Sequence, residues 1–110
     1  MEVRFANARL HNLCNNQSKL RGRYSQRMAA LIQQRLLDLS AAETLSQMRL
    51  LPGRCHELKG DLAGRLALDL VHPKRLVFRP AHDPVPTKPD GGLDWDSVTE
   101  IEIVGIGDYH

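Results

Sequence analysis

The chain has 110 residues, 42% apolar and 25% charged, which suits one domain around one core. No run nears the length that crosses a bilayer, and the charged start Met1-Glu2-Val3-Arg4 is not a secretory leader, so a cytoplasmic protein is expected. The net charge of +2 hides an asymmetry: residues 1–80 carry 14 Lys and Arg against 6 Asp and Glu, whereas residues 81–110 carry one Lys against seven acids.

Residues 2–6 alternate polar and apolar as a half-buried strand does. Residues 7–22 are predicted as a helix, with Asn7 as N-cap, Leu10, Leu13, Cys14 and Leu20 on one face, and Gly22 at its end. Residues 25–40 form a stronger helix. Ser25 can cap it, and Met28, Leu31, Ile32, Arg35, Leu36 and Leu39 recur at helical spacing. A short helical segment over 41–48 follows, and Leu51-Pro52-Gly53 breaks the chain. The rest reads as strands over 54–58, 64–71, 74–79 and 99–106. The middle two are joined as a hairpin at His72-Pro73, and a bulge-like Val104-Gly105 interrupts the last. Residues 81–97 are rich in Pro, Gly and Asp without a period, which predicts a long mobile surface loop. A strand, then helices, then an antiparallel meander implies an α+β class, one domain over 1–110 with helices on one side of the sheet.

A basic body points to a polyanion partner. Nucleic acid is favoured over a membrane surface, because no Lys-rich block is present. A solvated face of mixed charge is the plain alternative. Cys14 and Cys55 lack a CxxC or Cys/His ligand pattern and are expected to be reduced and packed. His11 beside Cys14 supplies half a zinc site at most, so no metal is expected.

The candidates for chemistry are His56 and Lys59, at a strand end before the glycines Gly60 and Gly64, then Arg75, and then the closing Asp108, Tyr109 and His110. RNA phosphodiester cleavage calls for such a set. A base takes the proton of the ribose 2′-hydroxyl, cations stabilise the crowded phosphorane, and an acid protonates the leaving 5′-oxygen. Lys59 and Arg75 suit the phosphate. His110 suits the acid, because its own carboxylate and Asp108 favour the imidazolium. Either His56 or Asp108 can serve as base. Taken singly, each of these residues is as readily a surface charge, a strand histidine or part of a solubilising tail.

Their order carries a resemblance. Leu51-Pro52-Gly53, His56-x-x-Lys59-Gly60-Asp61, Gly64, the strand Leu66–Leu70, Arg75-Leu76-Val77-Phe78 and the closing Asp108-Tyr109-His110 resemble the HigB branch of the RelE/ParE toxin superfamily. The likeness is loose in the N-terminal helices and close from Leu51 to Phe78 and at the terminus. It implies a compact RelE/ParE-like fold, with an N-terminal strand and helices packed on a twisted antiparallel sheet. It also implies ribosome-dependent mRNA cleavage by His56, Lys59, Arg75, Asp108, Tyr109 and His110. No metal or cofactor is implied, since the 2′-hydroxyl is the nucleophile. The partners implied are a HigA-like helix-turn-helix antitoxin, the ribosome and mRNA, with operator DNA reached only through the antitoxin and no membrane. Two alternatives stand beside it: a ParE-like gyrase inhibitor and a non-catalytic killer-suppression or binding protein. The loop 81–97 departs from the family by its length and by Asp83, Asp90, Asp94 and Asp96, charges that repel phosphate if the loop lies across the basic face.

Overall fold

Residues 1–108 are described by the computed structural model of the chain. Asn7 is extended and its side chain accepts from the Leu10 amide at 2.8 Å, so the first helix starts at its expected cap. The helix expected over 7–22 is, however, two helices, α1 at Ala8–Cys14 and α2 at Gln17–Arg23. The break lies at Asn15-Asn16. Asn15 Nδ2 donates to the His11 carbonyl at 2.8 Å and closes α1, while Asn16 Oδ1 accepts from the Lys19 N–H at 3.1 Å and opens α2. Asparagine side chains compete for backbone partners, and two in succession override an apolar period that continues through both helices.

α3 covers Gln26–Ala41. Ser25 Oγ accepts from the Met28 N–H at 3.1 Å, and Met28, Ile32 and Leu39 are buried along one stripe. The short helix expected over 41–48 forms later and tighter, as a 3₁₀ turn at Leu45–Leu50 that buries Leu45 and Met48.

The strands are β1 (Glu2–Phe5), β2 (His56–Glu57), β3 (Leu66–Asp69), β4 (Arg75–Pro80) and β5 (Glu100–Gly107). They form one sheet in the order β1-β5-β4-β3-β2. The β2–β3, β3–β4 and β4–β5 pairs are antiparallel, and β1 adds to β5 in parallel. The α+β arrangement is thus the expected one, with one parallel pair at the edge. That pair is permitted because almost the whole chain separates β1 from β5, ample length for a crossover.

Helix and sheet meet over Leu20, Ile32, Leu68, Leu76, Phe78 and Ile101, all fully buried. Each such side chain contributes roughly 1.5–3 kcal/mol. Val77 pairs with Gly105 but Phe78 with Ile103, so Val104 is the extra residue of a β-bulge. The bulge explains the lost alternation in β5. It lets Ile103 and Ile106, three apart, both pack on the helix side.

Residues 81–97 are organised rather than featureless. Thr87 bridges Leu93, the Lys88 N–H donates to the Gly92 carbonyl at 2.7 Å, and the Asp94 N–H donates to the Pro86 carbonyl at 3.0 Å. His82 Nε2 accepts from the backbone N–H groups of Thr99 and Glu100 at 3.1 and 3.2 Å. Trp95 is buried, donates from Nε1 to Glu57 Oε2 at 3.2 Å, and carries the Arg49 guanidinium 4.0 Å above its ring. Ser46 bonds Asp96. One buried aromatic residue with two polar partners, Glu57 and Arg49, anchors the segment and leaves no periodic trace in the sequence. Val85, Thr87 and Leu93 line a cavity with Glu57, Leu66 and Pro80, so this acidic arm packs toward the helix side.

Candidate functional site

The other face of the sheet gathers several of the residues singled out by sequence. His56 pairs with Ala67, Ala67 with Val77, and Val77 with Gly105, so these four share that face. Two residues along each strand, Asp69 pairs with Arg75 and Arg75 with Gly107. Ala67 and Val77 are fully buried and form an apolar floor. His56 and Arg75 are therefore on one side of the sheet, and Asp108 leaves β5 immediately after the residue opposite Arg75.

Asp69 meets two guanidiniums. Arg54 Nε donates to Oδ2 at 2.9 Å and Arg54 Nη2 to Oδ1 at 3.4 Å, while Arg75 Nε stands 3.6 Å from Oδ1. His56 Nδ1 lies 2.7 Å from the Arg54 carbonyl oxygen. A carbonyl can only accept, so Nδ1 carries the proton, and Nε2 is the acceptor of the neutral ring. Lys59 is exposed and opens the turn Gly60–Leu62; it makes no ion pair with a described residue. Tyr109 and His110 lie outside the described residues.

Neither Arg54 nor Asp69 stood out in the sequence. Asp69 offered one signal, a charge continuing an otherwise apolar strand; Arg54 followed a Pro-Gly break and offered none. Their placement is set by α3 and by an unusual backbone. Gly53 has φ +110° and Arg54 φ +52°, the one non-glycine residue with positive φ among the described residues. Such a residue costs about 1–3 kcal/mol and persists only where its surroundings hold it. Here the Asp69 N–H donates to the Gly53 carbonyl at 2.7 Å, and the buried Arg35 of α3 donates from Nε to the Asp69 carbonyl at 3.0 Å. The hydrogen bond to Asp69, and then its charge, hold the Arg54 guanidinium above its ordinary pKa.

The cysteines are both free thiols. Burial pushes Cys14 up to about 11 and Cys55 up to about 12, from an ordinary 9.0. Both therefore stay protonated at neutral pH and do not act as nucleophiles. Alkylation by iodoacetamide at pH 8 is expected to be slow in the folded chain and fast in denaturant. The sign of the linkage is that of a raised folded-state pKa. Stability is retained below pH 9 and declines between pH 9 and about 12, where only the unfolded chain ionises. Fast alkylation of the native chain would refute this.

No protein-family model and no curated protein matches the sequence. Solved structures do match the fold. A YoeB/ParE toxin from Agrobacterium tumefaciens superposes with a TM-score of 0.58 at 15% identity, over 100% of both chains. A YoeB–YefM complex from Staphylococcus aureus gives 0.56 at 16% identity, over 100% of this chain and 97% of the other. The chain thus shares the fold of these two solved structures, and that fold is the one its sequence leads one to expect.

Proposed function

We propose that the chain is the toxin of a type II toxin–antitoxin pair and that it cleaves mRNA on the ribosome. The observation that carries this reading is the shared sheet face of His56 and Arg75, with Asp108 leaving β5 at its margin. In the reaction, the ribose 2′-hydroxyl attacks the adjacent phosphorus and gives its proton to a base. The bond to the 5′-oxygen breaks and that oxygen takes a proton, leaving a 2′,3′-cyclic phosphate and a 5′-hydroxyl. His56, with Nδ1 tied to a carbonyl, is suited to accept the first proton on Nε2. Arg75 and Lys59 stabilise the phosphorane charge. His110 is the proposed acid, with Asp108 and Tyr109 beside it in sequence. Two imidazoles and a few cations make a modest site, and the ribosome supplies the alignment.

The proposed partner is a HigA-like helix-turn-helix antitoxin, through which alone the chain reaches operator DNA. A solved structure of the same fold is a YoeB–YefM complex. The cytoplasm, where ribosomes and mRNA are found, is the proposed location. No helix among the described residues is long and apolar enough to cross a membrane.

Expression of the wild type and of His110→Ala tests the reading. The wild type is expected to arrest growth and create new 5′ ends inside translated transcripts, the variant to do neither, and the purified wild type to leave naked RNA intact. Arrest with DNA breaks and no new 5′ ends identifies a ParE-like gyrase inhibitor instead. Unimpaired growth leaves a non-catalytic killer-suppression or binding protein.

A further inference from the structure

We infer that Arg54 is a further phosphate-binding residue of the His56 face, beside Arg75 and Lys59, and that Asp69 is the positioning residue that sets it beside Arg75. This rests on reading the face as an RNA site. Asp69 is shared: one carboxylate draws two guanidiniums, from a loop and from β4, within 3.6 Å of its oxygens. A phosphate group has the size and charge to be held by the same two cations. Two other arginines of this face differ, since Arg79 meets Glu102 at 3.0 Å, and Arg4 meets Glu100 at 3.3 Å and Glu2 at 3.6 Å, so each faces acids that bridge no second guanidinium among the described residues.

Arg54 is built to present its charge outward. Its side chain is 61% exposed, against 21% for Arg75. Of five N–H donors on a guanidinium, Asp69 takes two from Arg54, and the others are directed away from that carboxylate. The left-handed backbone of Arg54 points its carbonyl at His56 Nδ1. One residue thus orients the imidazole with its backbone and places a cation beside it with its side chain. The backbone strain is maintained by the Gly53–Asp69 hydrogen bond and by Arg35, both anchored at the end of β3. Bidentate guanidinium geometry suits phosphate, which lysine cannot match.

The experiment uses the purified full chain and a short single-stranded oligoribonucleotide with every 2′-hydroxyl methylated. This probe binds without a nucleophile, so binding is read without cleavage. On titration, the Nε–Hε resonances of Arg54 and Arg75 are expected to shift together. Arg54→Gln should weaken binding about tenfold and reduce the slope of log affinity against log salt by about 0.7, the share of one phosphate contact on a single strand. Arg54→Lys should restore the slope but not the full affinity. Asp69→Asn removes a negative charge, so simple attraction would tighten binding. The positioning role requires weaker binding instead, with rescue by Asp69→Glu and with thermal unfolding showing that each variant is folded. Wild-type affinity in Arg54→Gln, tighter binding in Asp69→Asn, or no binding by the wild type each overturns the inference. If the Arg54 effects appear but transcripts stay uncut in cells, the phosphate site stands and the cleavage reading falls. If transcripts are cut and Arg54→Gln changes neither affinity nor slope, this inference alone falls.

Discussion

His56→Ala is expected to slow single-turnover cleavage on programmed ribosomes by about 10²–10⁴-fold, the usual contribution of a general base. The expectation follows from the ring's hydrogen bond: the Arg54 carbonyl takes Nδ1, leaving Nε2 as the nitrogen that can accept a proton. Under the proposed function, co-sedimentation of His56→Ala with ribosomes should stay unchanged, since the substitution leaves the 14 Lys and Arg of residues 1–80 in place. His56→Gln separates hydrogen bonding from proton transfer: an amide can occupy the site but cannot act as base, so it too should be slow. An undiminished rate in His56→Ala would remove His56 from the mechanism and leave Asp108 as the candidate base.

Arg35→Ala is expected to destabilise the fold by about 2–4 kcal/mol, through lost packing and a lost hydrogen bond to the Asp69 carbonyl. That is a large part of the roughly 5–15 kcal/mol typical of a domain. Gly53→Ala should cost about 1–3 kcal/mol for two separable reasons. Its φ of +110° disfavours any side chain, and a Cβ there would meet Arg35 Nε at 2.8 Å. A double-mutant cycle isolates the second reason. In the Arg35→Ala background the collision is gone, so Gly53→Ala should cost less than in the wild type, and the difference is the coupling. Chemical denaturation of the four chains measures it. Strict additivity would mean that Arg35 does not press on Gly53 and that the Arg54 backbone is held by other contacts.

Much of this molecule was legible in the chain alone wherever the cause is local. Asn7 and Ser25 are caps because their short side chains reach the amides of Leu10 and Met28 within one turn. The stripe through Met28, Ile32 and Leu39 announces α3, and it also places Arg35 on the buried side, where it is found. The alternation in β3 and β4 gives the hairpin, and the broken phase at Val104 is the bulge. At Asn15-Asn16 too the cause is local: the apolar period runs on through both helices, but the two asparagine side chains take backbone partners and break the helix.

By itself, then, the sequence determined the α+β class, the main helix, the hairpin, the basic body and the residue types His56, Lys59 and Arg75 that suggest phosphate chemistry. Tertiary structure alone decided that β1 adds to β5 in parallel, that Trp95 ties the acidic arm to Arg49 and Glu57, and that Arg54 and Arg75 meet over Asp69. The physical reason is range. Caps, periods and bulges are settled by neighbours within a turn or a strand step. A parallel edge, a buried indole or a shared carboxylate depends on strand register and helix packing, which join residues far apart in the chain and leave little periodic trace.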